Sequence, residues 1–592
     1  MTGAALRALD AGDLCEAFAR TVAERSDETA LRSSDGATSL TWRAFDQRLR
    51  AAAGGLADLG VGPGGTVALL LTNRPEAAVV DMAALHLGAV PVSLYNTSPV
   101  GQLAFLLADS RADVVVTERA FAARAGAALA ARAGAGHARP RLVVVDGDRD
   151  GDGAGPVKVE ADIASFDALC ARGRPLGPGT RPALSPADVV TVVYTSGTTG
   201  EPKGAELTHR NILEQIRGLH ALGRLPGGGR VLSYLPFAHL GDRLCAYYMP
   251  LVTGACITYH PDPRTATAVL PAVQPTLFMA VPKVWQRIQA GARAVIAGWP
   301  EAERRDVEEA AAAGRRSGAP RLAALRSALG LAAGRLLFTG AAPLPPETLR
   351  FFTAIGVDLC ECYGQSETAG IILCNPADRP RPLTNGLPLP GVDVRLAADG
   401  ELLVKGPMVM AGYRGRPDLT AAAFDAGGWL RTGDLFTTDE AGYYRIVDRK
   451  KEIIVTSAGK NVAPVLVENT LAAASPLVGS AVCLGDGRPY CTALVALDPE
   501  AAAALTGDTD PAANARHPAV VDALRAAVRR ANTELNDAER IRRFAIVGET
   551  WLPGGDELTP TTKLKRKPIA AKHAALIEAL YGEGEPDAVH RP

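Results

Sequence analysis

The segment 189–204 constrains the fold of this chain more than any other stretch of its sequence. Residues 189–193 form an apolar, strand-like run, and a helix-like segment begins near Thr208. Between them lies Tyr-Thr-Ser-Gly-Thr-Thr-Gly-Glu-Pro-Lys-Gly, residues 194–204. Glycines and hydroxyl residues leave backbone N–H groups free to face an anion, and Lys203 adds a mobile positive charge. The spacing differs from that of a Walker loop. The segment therefore predicts a polyphosphate-binding loop between a strand and a helix.

Strands and helices alternate in the N-terminal part of the chain. Strand patterns at 66–71, 89–94 and 112–116 enclose helix patterns at 75–87 and 99–108. Because such alternation requires crossover connections, it predicts a mostly parallel, doubly wound sheet. The Ala/Arg/Gly- and Asp/Gly-rich residues that follow, 120–185, are expected to be irregular.

The chain is too long for one ordinary core. At 592 residues it should form two or more lobes. Short alternating strands between 385 and 447 indicate a smaller β subdomain, and a charged break follows at 448–452. We therefore expect an α/β protein whose large N-terminal lobe, 1–447, holds doubly wound sheets and a β subdomain. A small, mobile α/β C-terminal lobe would span 448–592, with its last residues disordered.

The composition excludes several classes of function. A net charge of −1 gives no electrostatic case for nucleic acid. Nine scattered cysteines without zinc-ligand spacing fit a reducing cytoplasm. The N-terminus lacks a signal-peptide pattern, and no run reaches the roughly 18–20 apolar residues of a membrane helix. We therefore expect a cytoplasmic protein, with any membrane association peripheral, at the inner face.

The loop 194–204 resembles the phosphate-binding signature of the adenylate-forming superfamily, which includes acyl-CoA synthetases, luciferases and peptide-synthetase adenylation domains. The resemblance extends in order from Leu40 to Arg566. It implies that the nucleotide phosphates are bound by the loop residues Thr195, Ser196, Gly197, Thr198, Thr199, Gly200 and Lys203.

Further motifs match the family's nucleotide and metal sites. The resemblance implies that Glu367 and Thr195 bind Mg²⁺, which accepts one carboxylate and phosphate oxygens, and that Tyr363 lies against adenine. It implies that Asp434 holds the ribose hydroxyls, with Arg449 beside the nucleotide. The remaining nucleotide-binding residues implied in this way are Gly340, Glu361, Cys362, Gly364, Ser366 and Lys451. In the adenine-side turn, Ala341 stands where relatives carry glycine.

Two aromatic-ring residues have alternative interpretations. His239, in Phe-Ala-His-Leu-Gly-Asp-Arg, could be structural, whereas the resemblance places it beside the carboxylate and the phosphate. Trp285 could be a core aromatic, whereas the resemblance suggests an acyl-tunnel gate.

The resemblance implies that the C-terminal lobe carries the family's mobile catalytic lysine. Lys563 matches it in Leu-Thr-Pro-Thr-Thr-Lys-Leu-Lys-Arg, although Thr562 replaces the usual glycine and Lys565 lies nearby. Lys451 matches the hinge. The resemblance thus implies a catalytic set of Lys563, His239, Glu367 and Thr195.

The implied reaction has two halves. A fatty acid and ATP give acyl-AMP and pyrophosphate, and CoA then displaces AMP. Residues 280–285, the helical segment 300–332 and residues 558–561 favour the bacterial long-chain fatty acyl-CoA synthetase branch. ATP, Mg²⁺ and CoA are the expected cofactors and co-substrates, and the oligomeric state stays open. The alternatives are an acyl-AMP ligase that loads a carrier protein and a non-catalytic nucleotide-binding protein.

Overall fold

The computed structural model describes residues 6–133, 140–146, 163–177, 179–195, 202–225, 227–552, 554–559, 563–582, 584 and 588–592. The chain divides into two compact units. The first comprises Met1–Ala342, Arg350–Val394 and Val404–Leu430, and the second comprises Pro343–Leu349, Arg395–Leu403 and Arg431–Pro592.

The first unit contains two large, mainly parallel sheets. In order across the larger sheet, the strands are Leu387–Pro388, Gly370–Cys374, Leu359–Gln365, Leu336–Thr339, Leu277–Ala280, Arg230–Ser233, Cys256–Tyr259, Thr29–Ser33 and Ser39–Thr41. In order across the second, entirely parallel sheet, they are Val90–Ser93, Thr66–Leu70, Val114–Thr117, Arg141–Val144 and Ile163–Ser165. The predicted doubly wound α/β architecture is confirmed.

A smaller antiparallel sheet in the first unit carries the predicted phosphate loop. Its strands, in order, are Gly412–Tyr413, Lys203–Thr208 and Val189–Thr195. The segment Lys203–Thr208 after the loop is a strand that was not predicted from the sequence. The helix predicted to start near Thr208 is confirmed: it begins at His209, where the Thr208 side chain accepts from the Asn211 amide in a capping box.

The β subdomain and the C-terminal residues form further sheets. The β-subdomain strands, in order, are Asp393–Leu396, Glu401–Lys405, Leu430–Thr438 and Tyr444–Arg449. The C-terminal sheet contains Val478–Leu484, Cys491–Leu497, Ile541–Val547 and Val589–His590, and a two-stranded ladder joins Ile454–Val455 to Asn461–Val462. The expectation of a disordered terminus is wrong for Val589–His590, which pairs with Phe544 and Ala545.

Helices pack on these sheets in both units. The α-helices are Leu14–Arg25, Trp42–Asp58, Pro75–His86, Val100–Asp109, Arg119–Ala133, Phe166–Arg172, His209–Ala221, Leu240–Asp242, Met249–Thr253, Ala266–Val273, Pro282–Ala297, Glu301–Ala313, Leu322–Ala328, Pro346–Ala354, Pro417–Ala423, Pro464–Ala474, Pro499–Thr506, Pro511–Arg516, Pro518–Glu534, Arg566–Lys572 and Ala574–Tyr581. Short 3₁₀ helices lie at Arg7–Asp10 and Ser366–Thr368, and a π-helix lies at Arg243–Tyr248.

The expectation of an irregular segment at 120–185 is wrong in part. Arg119–Ala133 is a helix because alanine and arginine have high helix propensity. The strands Arg141–Val144 and Ile163–Ser165 extend the parallel sheet, and Phe166–Arg172 is helical. The predicted large N-terminal and smaller C-terminal parts are confirmed, whereas the boundary at residue 448 stays a prediction.

Candidate active site

The predicted phosphate loop joins two strands of a hairpin. Thr195 ends the first strand and pairs in register with Lys203, which begins the second. The predicted ligands Ser196, Gly197, Thr198, Thr199 and Gly200 lie outside the described residues. The structure thus places Thr195 and Lys203 side by side at the ends of the two paired strands.

Tyr413 connects this hairpin with the predicted metal ligand. Its hydroxyl donates to Glu367 Oε1 at 2.8 Å, and Lys203 Nζ lies 5.2 Å from the centre of its ring. The backbone of Tyr413 also pairs with Ala205 in the hairpin. Burial and the charge of Glu367 raise the pKa of Tyr413, so the phenol keeps its proton and remains a donor. Tyr413 therefore brings Lys203 and Glu367 to one place.

Tyr413 was not among the site residues predicted from the sequence. It lies 46 residues from Glu367 in the chain, and no local spacing links the two. Its position depends on the pairing of Gly412–Tyr413 with the hairpin strand, which the sequence analysis did not predict.

The main chain around Glu367 is positioned by close backbone contacts. The Met410 amide donates to the Glu367 carbonyl at 2.9 Å. A Cβ on Gly364 would lie 1.6 Å from the Gly370 carbonyl oxygen, so only glycine fits at Gly364. Ser366 lies in the short helix with Glu367.

The predicted adenine-side residues make mainly structural contacts. Cys362 Sγ contacts the Thr339 carbonyl at 3.4 Å and would lie 3.2 Å from a Cβ on Gly340. Glu361 Oε2 accepts from the Leu383 amide at 2.8 Å, and Tyr363 is buried. Ala341 has a φ of +69°, in the left-handed region that favours glycine. Their nucleotide-binding roles stay predictions.

His239 caps the short helix Leu240–Asp242. Its Nδ1 accepts from the Gly241 amide at 3.2 Å, so the neutral ring carries its proton on Nε2. Asp242 is buried and accepts from Ser233 Oγ at 2.6 Å. Burial raises the pKa of Asp242 to about 7. This anchoring fixes the segment that carries His239.

A buried ion pair fixes the π-helix that follows. Arg243 donates to Asp81 at 2.5 Å and to the hydroxyl of Tyr248 at 2.6 Å. The Arg243 side chain is 1% exposed and that of Asp81 is 0% exposed.

Trp285 packs in the core of the first unit. It is fully buried, donates from Nε1 to the Phe338 carbonyl at 3.1 Å, and makes edge contacts with Phe278 and Phe352. The acyl-gate role stays a prediction, and it would require the ring to leave this packing.

The second unit brings two predicted nucleotide ligands together. Asp434 pairs in register with Arg449 across neighbouring strands, and Arg449 Nε lies 3.3 Å from Asp434 Oδ1. The next residue, Lys450, contacts Asp399 at 2.5 Å and Glu401 at 3.0 Å. Glu401 also accepts from the Gly433 amide at 3.0 Å. These contacts position the strand of Asp434 and the residue immediately before Lys451.

The main chain of Lys563 is hydrogen-bonded to Thr559. Its amide donates to Thr559 Oγ1 at 2.9 Å, and the Thr559 amide donates to the Lys563 carbonyl at 2.8 Å. Residues 560–562 lie outside the described residues. Three positions later, Arg566 donates to both carboxylate oxygens of Glu468, at 2.5 and 2.8 Å, and contacts Glu452 at 3.3 Å. Lys563 and Arg566 therefore belong to one short segment with different surroundings.

Residues 18–414 match the family described as AMP-binding enzyme. Residues 451–585 match the AMP-binding enzyme C-terminal domain.

Curated relatives with similar sequences carry fatty-acid ligase names. FadD11 of Mycobacterium tuberculosis, named as a candidate fatty-acid–CoA ligase, is 42% identical over 69% of this chain and 76% of its own length. The long-chain-fatty-acid–CoA ligase FadD15 of Mycobacterium bovis is 35% identical over 92% of this chain and 93% of its own length.

A solved structure shares the fold. The A domain of a carboxylic acid reductase from Segniliparus rugosus, in complex with AMP and a co-purified carboxylic acid, has a TM-score of 0.76 and 22% identity. The match covers 97% of this chain and 95% of that domain.

Proposed function

This chain belongs to the family of AMP-binding enzymes, and we propose that it activates a medium- to long-chain fatty acid with ATP and transfers the acyl group to CoA. Acyl-AMP and pyrophosphate form first, and acyl-CoA and AMP are released second. The names of FadD11 and FadD15 support the fatty acid as substrate.

The contact of Tyr413 with Glu367 and Lys203 carries this proposal. It brings a carboxylate and an ammonium group to the base of the loop whose sequence resembles a polyphosphate-binding signature. ATP presents phosphate oxygens that a cation can pair with directly and that a carboxylate can reach only through a metal ion. Lys203 and Glu367 supply these two complementary groups.

The residues at this site can bind Mg²⁺ when phosphate oxygens complete the ligand set. Tyr413 occupies Glu367 Oε1, and among the described residues no partner occupies Oε2. The described part of the chain contains no cluster of three His, Cys, Asp or Glu side chains that could hold a metal alone. Glu367, with the Thr195 hydroxyl, would therefore hold Mg²⁺ together with phosphate oxygens, and the bound ion would neutralise phosphate charge.

His239 would position the acid. With Nδ1 occupied by the Gly241 amide, a neutral His239 offers Nε2–H as a donor to a carboxylate oxygen. Because Asp242 and Arg243 anchor the helix start, this donor would be held in one orientation.

The second unit would supply the ribose ligand and the catalytic lysine. Asp434 is 4% exposed, and its carboxylate can accept hydrogen bonds from both ribose hydroxyls. Lys563 would stabilise the negative charge that develops as the adenylate forms. A domain boundary at 448 with Lys451 as the hinge is supported by the family matches, which end at 414 and resume at 451.

A panel of acids from acetate to octadecanoate, with aryl acids included, tests the substrate. Each buried CH₂ contributes roughly 0.8 kcal/mol, so kcat/KM should rise steeply with chain length. The proposal fails if acetate or benzoate outcompetes dodecanoate and palmitate. Acyl-AMP formation followed by transfer to a carrier protein but not to CoA would instead establish the carrier-loading alternative.

Contact with a membrane remains a separate part of the proposal. The helices in the described ranges include none with the length and apolar character needed to cross a bilayer. Co-sedimentation with anionic and neutral phospholipid vesicles measures peripheral binding.

A further inference from the structure

Two glutamine side chains beside Gly370 carry buried polar atoms without hydrogen-bond partners in the described part of the chain. These atoms are Oε1 and Nε2 of Gln215 and Nε2 of Gln365. Gln215 is 0% exposed and lies on the helix His209–Ala221. We call Gln215, Gln365 and Gly370 the Gly370 site.

Both residues adjoin Gly370. A Cβ on Gly370 would lie 3.7 Å from Gln215 Oε1. Gln365 is the register partner of Gly370 across two antiparallel strands, and its side-chain oxygen accepts from the Thr368 amide. Because glycine has no side chain, the amide of Gln215 can approach the strand at the residue that pairs with Gln365.

The unpaired state of Gln215 contrasts with another amide on the same helix. Asn211, one turn earlier, is also buried, yet its Nδ2 donates to the carbonyls of Pro407 and Val409 at 2.7 and 2.9 Å. Its Oδ1 accepts from the Thr208 amide at 2.8 Å. Buried polar groups are normally paired in this way, and an unpaired one destabilises the fold. The Gly370 site therefore has polar groups available for a ligand or for water.

The Gly370 site borders the residues proposed for catalysis. Gly370 is three positions after Glu367 in the chain. A Cβ on Gly370 would also meet the Leu244 side chain at 2.5 Å, and Leu244 lies on the π-helix that follows the His239 segment. The part of a substrate that extends past these reacting groups is the acyl chain.

The donor and acceptor pattern selects one substituent chemistry. The two Nε2 groups donate, and Gln215 Oε1 accepts. An alcohol satisfies both, because its oxygen accepts from an amide N–H while its O–H donates to Oε1. A methylene chain satisfies neither and leaves the buried amide unpaired.

We propose that Gln215 and Gln365 determine specificity for fatty acids that carry a hydroxyl group on the acyl chain. This inference rests on the proposed fatty-acid activation and adds to it the class of acyl substituent. The two glutamines bind the hydroxyl, whereas Glu367, His239 and Lys563 serve the reacting carboxylate.

The test compares dodecanoate with a positional series of monohydroxydodecanoates in acyl-CoA formation. For at least one hydroxyl position, kcat/KM of the intact enzyme should exceed that for dodecanoate by roughly 10–100-fold, since a site built for a hydroxyl discriminates against its absence. Gln215→Met, of similar length but without the amide, should reduce this ratio to about one while dodecanoate remains a substrate. Absence of a preferred hydroxy acid, or a preference that persists in Gln215→Met, overturns the proposal.

A second variant and a stability measurement separate binding from folding. Gln365→Glu removes the Nε2 donor but keeps the oxygen that accepts from the Thr368 amide, and it should also lower the hydroxy-acid preference. Gln215→Met should melt at or above the intact protein's Tm, whereas Asn211→Leu should melt lower because it leaves its former partners unpaired. If Gln215→Met instead fails to fold, Gln365→Glu decides the test, and an unchanged ratio in that variant refutes the proposal.

Failure of this inference is distinguishable from failure of the proposed function. Normal activation of unsubstituted acids without discrimination for any hydroxyl position means that the amides bind water only, which overturns the inference and leaves the proposed function intact. Activation of neither class of acid overturns both.

Discussion

Glu468 in the second unit and Gln215 in the first are both buried polar side chains, but only Glu468 has partners among the described residues. Glu468 accepts from both terminal nitrogens of Arg566 and from the Cys483 amide at 2.8 Å. Gln215 has neither its donor nor its acceptor satisfied there. Pairing on this scale is expected where a polar group holds the fold together, and its absence is expected where a group meets a ligand. The comparison predicts that the Arg566–Glu468 pair stabilises the protein and that Gln215 serves its reaction.

Replacing Arg566 gives the largest expected effect on stability. Arg566→Ala leaves the buried Glu468 carboxylate without its cationic partner, which should lower the free energy of unfolding of the second unit by about 3–5 kcal/mol. Urea unfolding measures the loss. Arg488→Ala is the control, because Arg488 pairs with Glu578 at the surface, where loss of a pair costs about 0–1 kcal/mol. Equal stability of Arg566→Ala and Arg488→Ala would contradict a stabilising role for the pair of Arg566 and Glu468.

Replacement of Lys563, three residues before Arg566, should reduce activity without reducing stability. Lys563→Ala should lower the rate of adenylation by about 10²–10³-fold, or about 3–4 kcal/mol, because an ammonium group no longer stabilises the forming adenylate. Thioester formation from synthetic acyl-AMP and the urea midpoint should be preserved.

Lys565→Ala is the matched control for Lys563. Lys565 donates to the Gly555 carbonyl at 2.8 Å. If Lys565→Ala loses adenylation and Lys563→Ala does not, the catalytic role shifts by two positions. Equal losses in both half-reactions of Lys563→Ala would assign that residue to folding.

Tyr413→Phe tests whether a residue that contacts a proposed metal ligand serves the reaction. The substitution removes the hydroxyl that donates to Glu367. A hydrogen bond to a charged group contributes about 1.5–3 kcal/mol, so kcat/KM for ATP should fall by roughly one to two orders of magnitude. Titration with Mg²⁺ should show a higher requirement. An unchanged Mg²⁺ requirement would contradict the role of Tyr413 in orienting Glu367.

Ala341→Gly should have the smallest effect and should be stabilising. Ala341 has a φ of +69°, which costs an L-residue about 1–2 kcal/mol. The greater entropy of glycine in the unfolded chain offsets about 0.4–1 kcal/mol of this gain. A net increase in unfolding free energy of about 0.5–1 kcal/mol is expected, measured by urea unfolding. A loss of stability would show that the Ala341 methyl makes contacts that outweigh the backbone strain.

Local patterns predicted most elements but not the contacts between distant segments. The run of small residues at 194–204 indicated a loop, yet the strand Lys203–Thr208 was missed because it forms only through pairing with Val189–Thr195. Tyr413 reaches Glu367 across 46 residues, and Arg566 reaches Glu468 across 98. Motif order thus predicted the family and the fold class, whereas these pairings depend on tertiary structure.

The amides of Asn211 and Gln215 also show that local sequence does not predict contacts between distant segments. In the sequence, Asn211 and Gln215 are two amides four residues apart on one helix. Their burial is similar, but Asn211 accepts from the Thr208 amide and donates to the carbonyls of Pro407 and Val409. The contact with Thr208 is local, whereas the two carbonyls lie almost 200 residues further along the chain, so no local pattern could indicate that the Asn211 donor is satisfied.

The stoichiometry of the reaction with palmitate, ATP, Mg²⁺ and CoA tests the proposed activity most directly. Phosphorus NMR of the products, combined with chromatography of the thioester, should show AMP, pyrophosphate and palmitoyl-CoA in equal amounts. Omission of CoA should leave palmitoyl-AMP and pyrophosphate as the products of the first half-reaction. Formation of ADP and phosphate, or absence of any ATP cleavage that depends on a fatty acid, would contradict an AMP-forming fatty acid–CoA ligase.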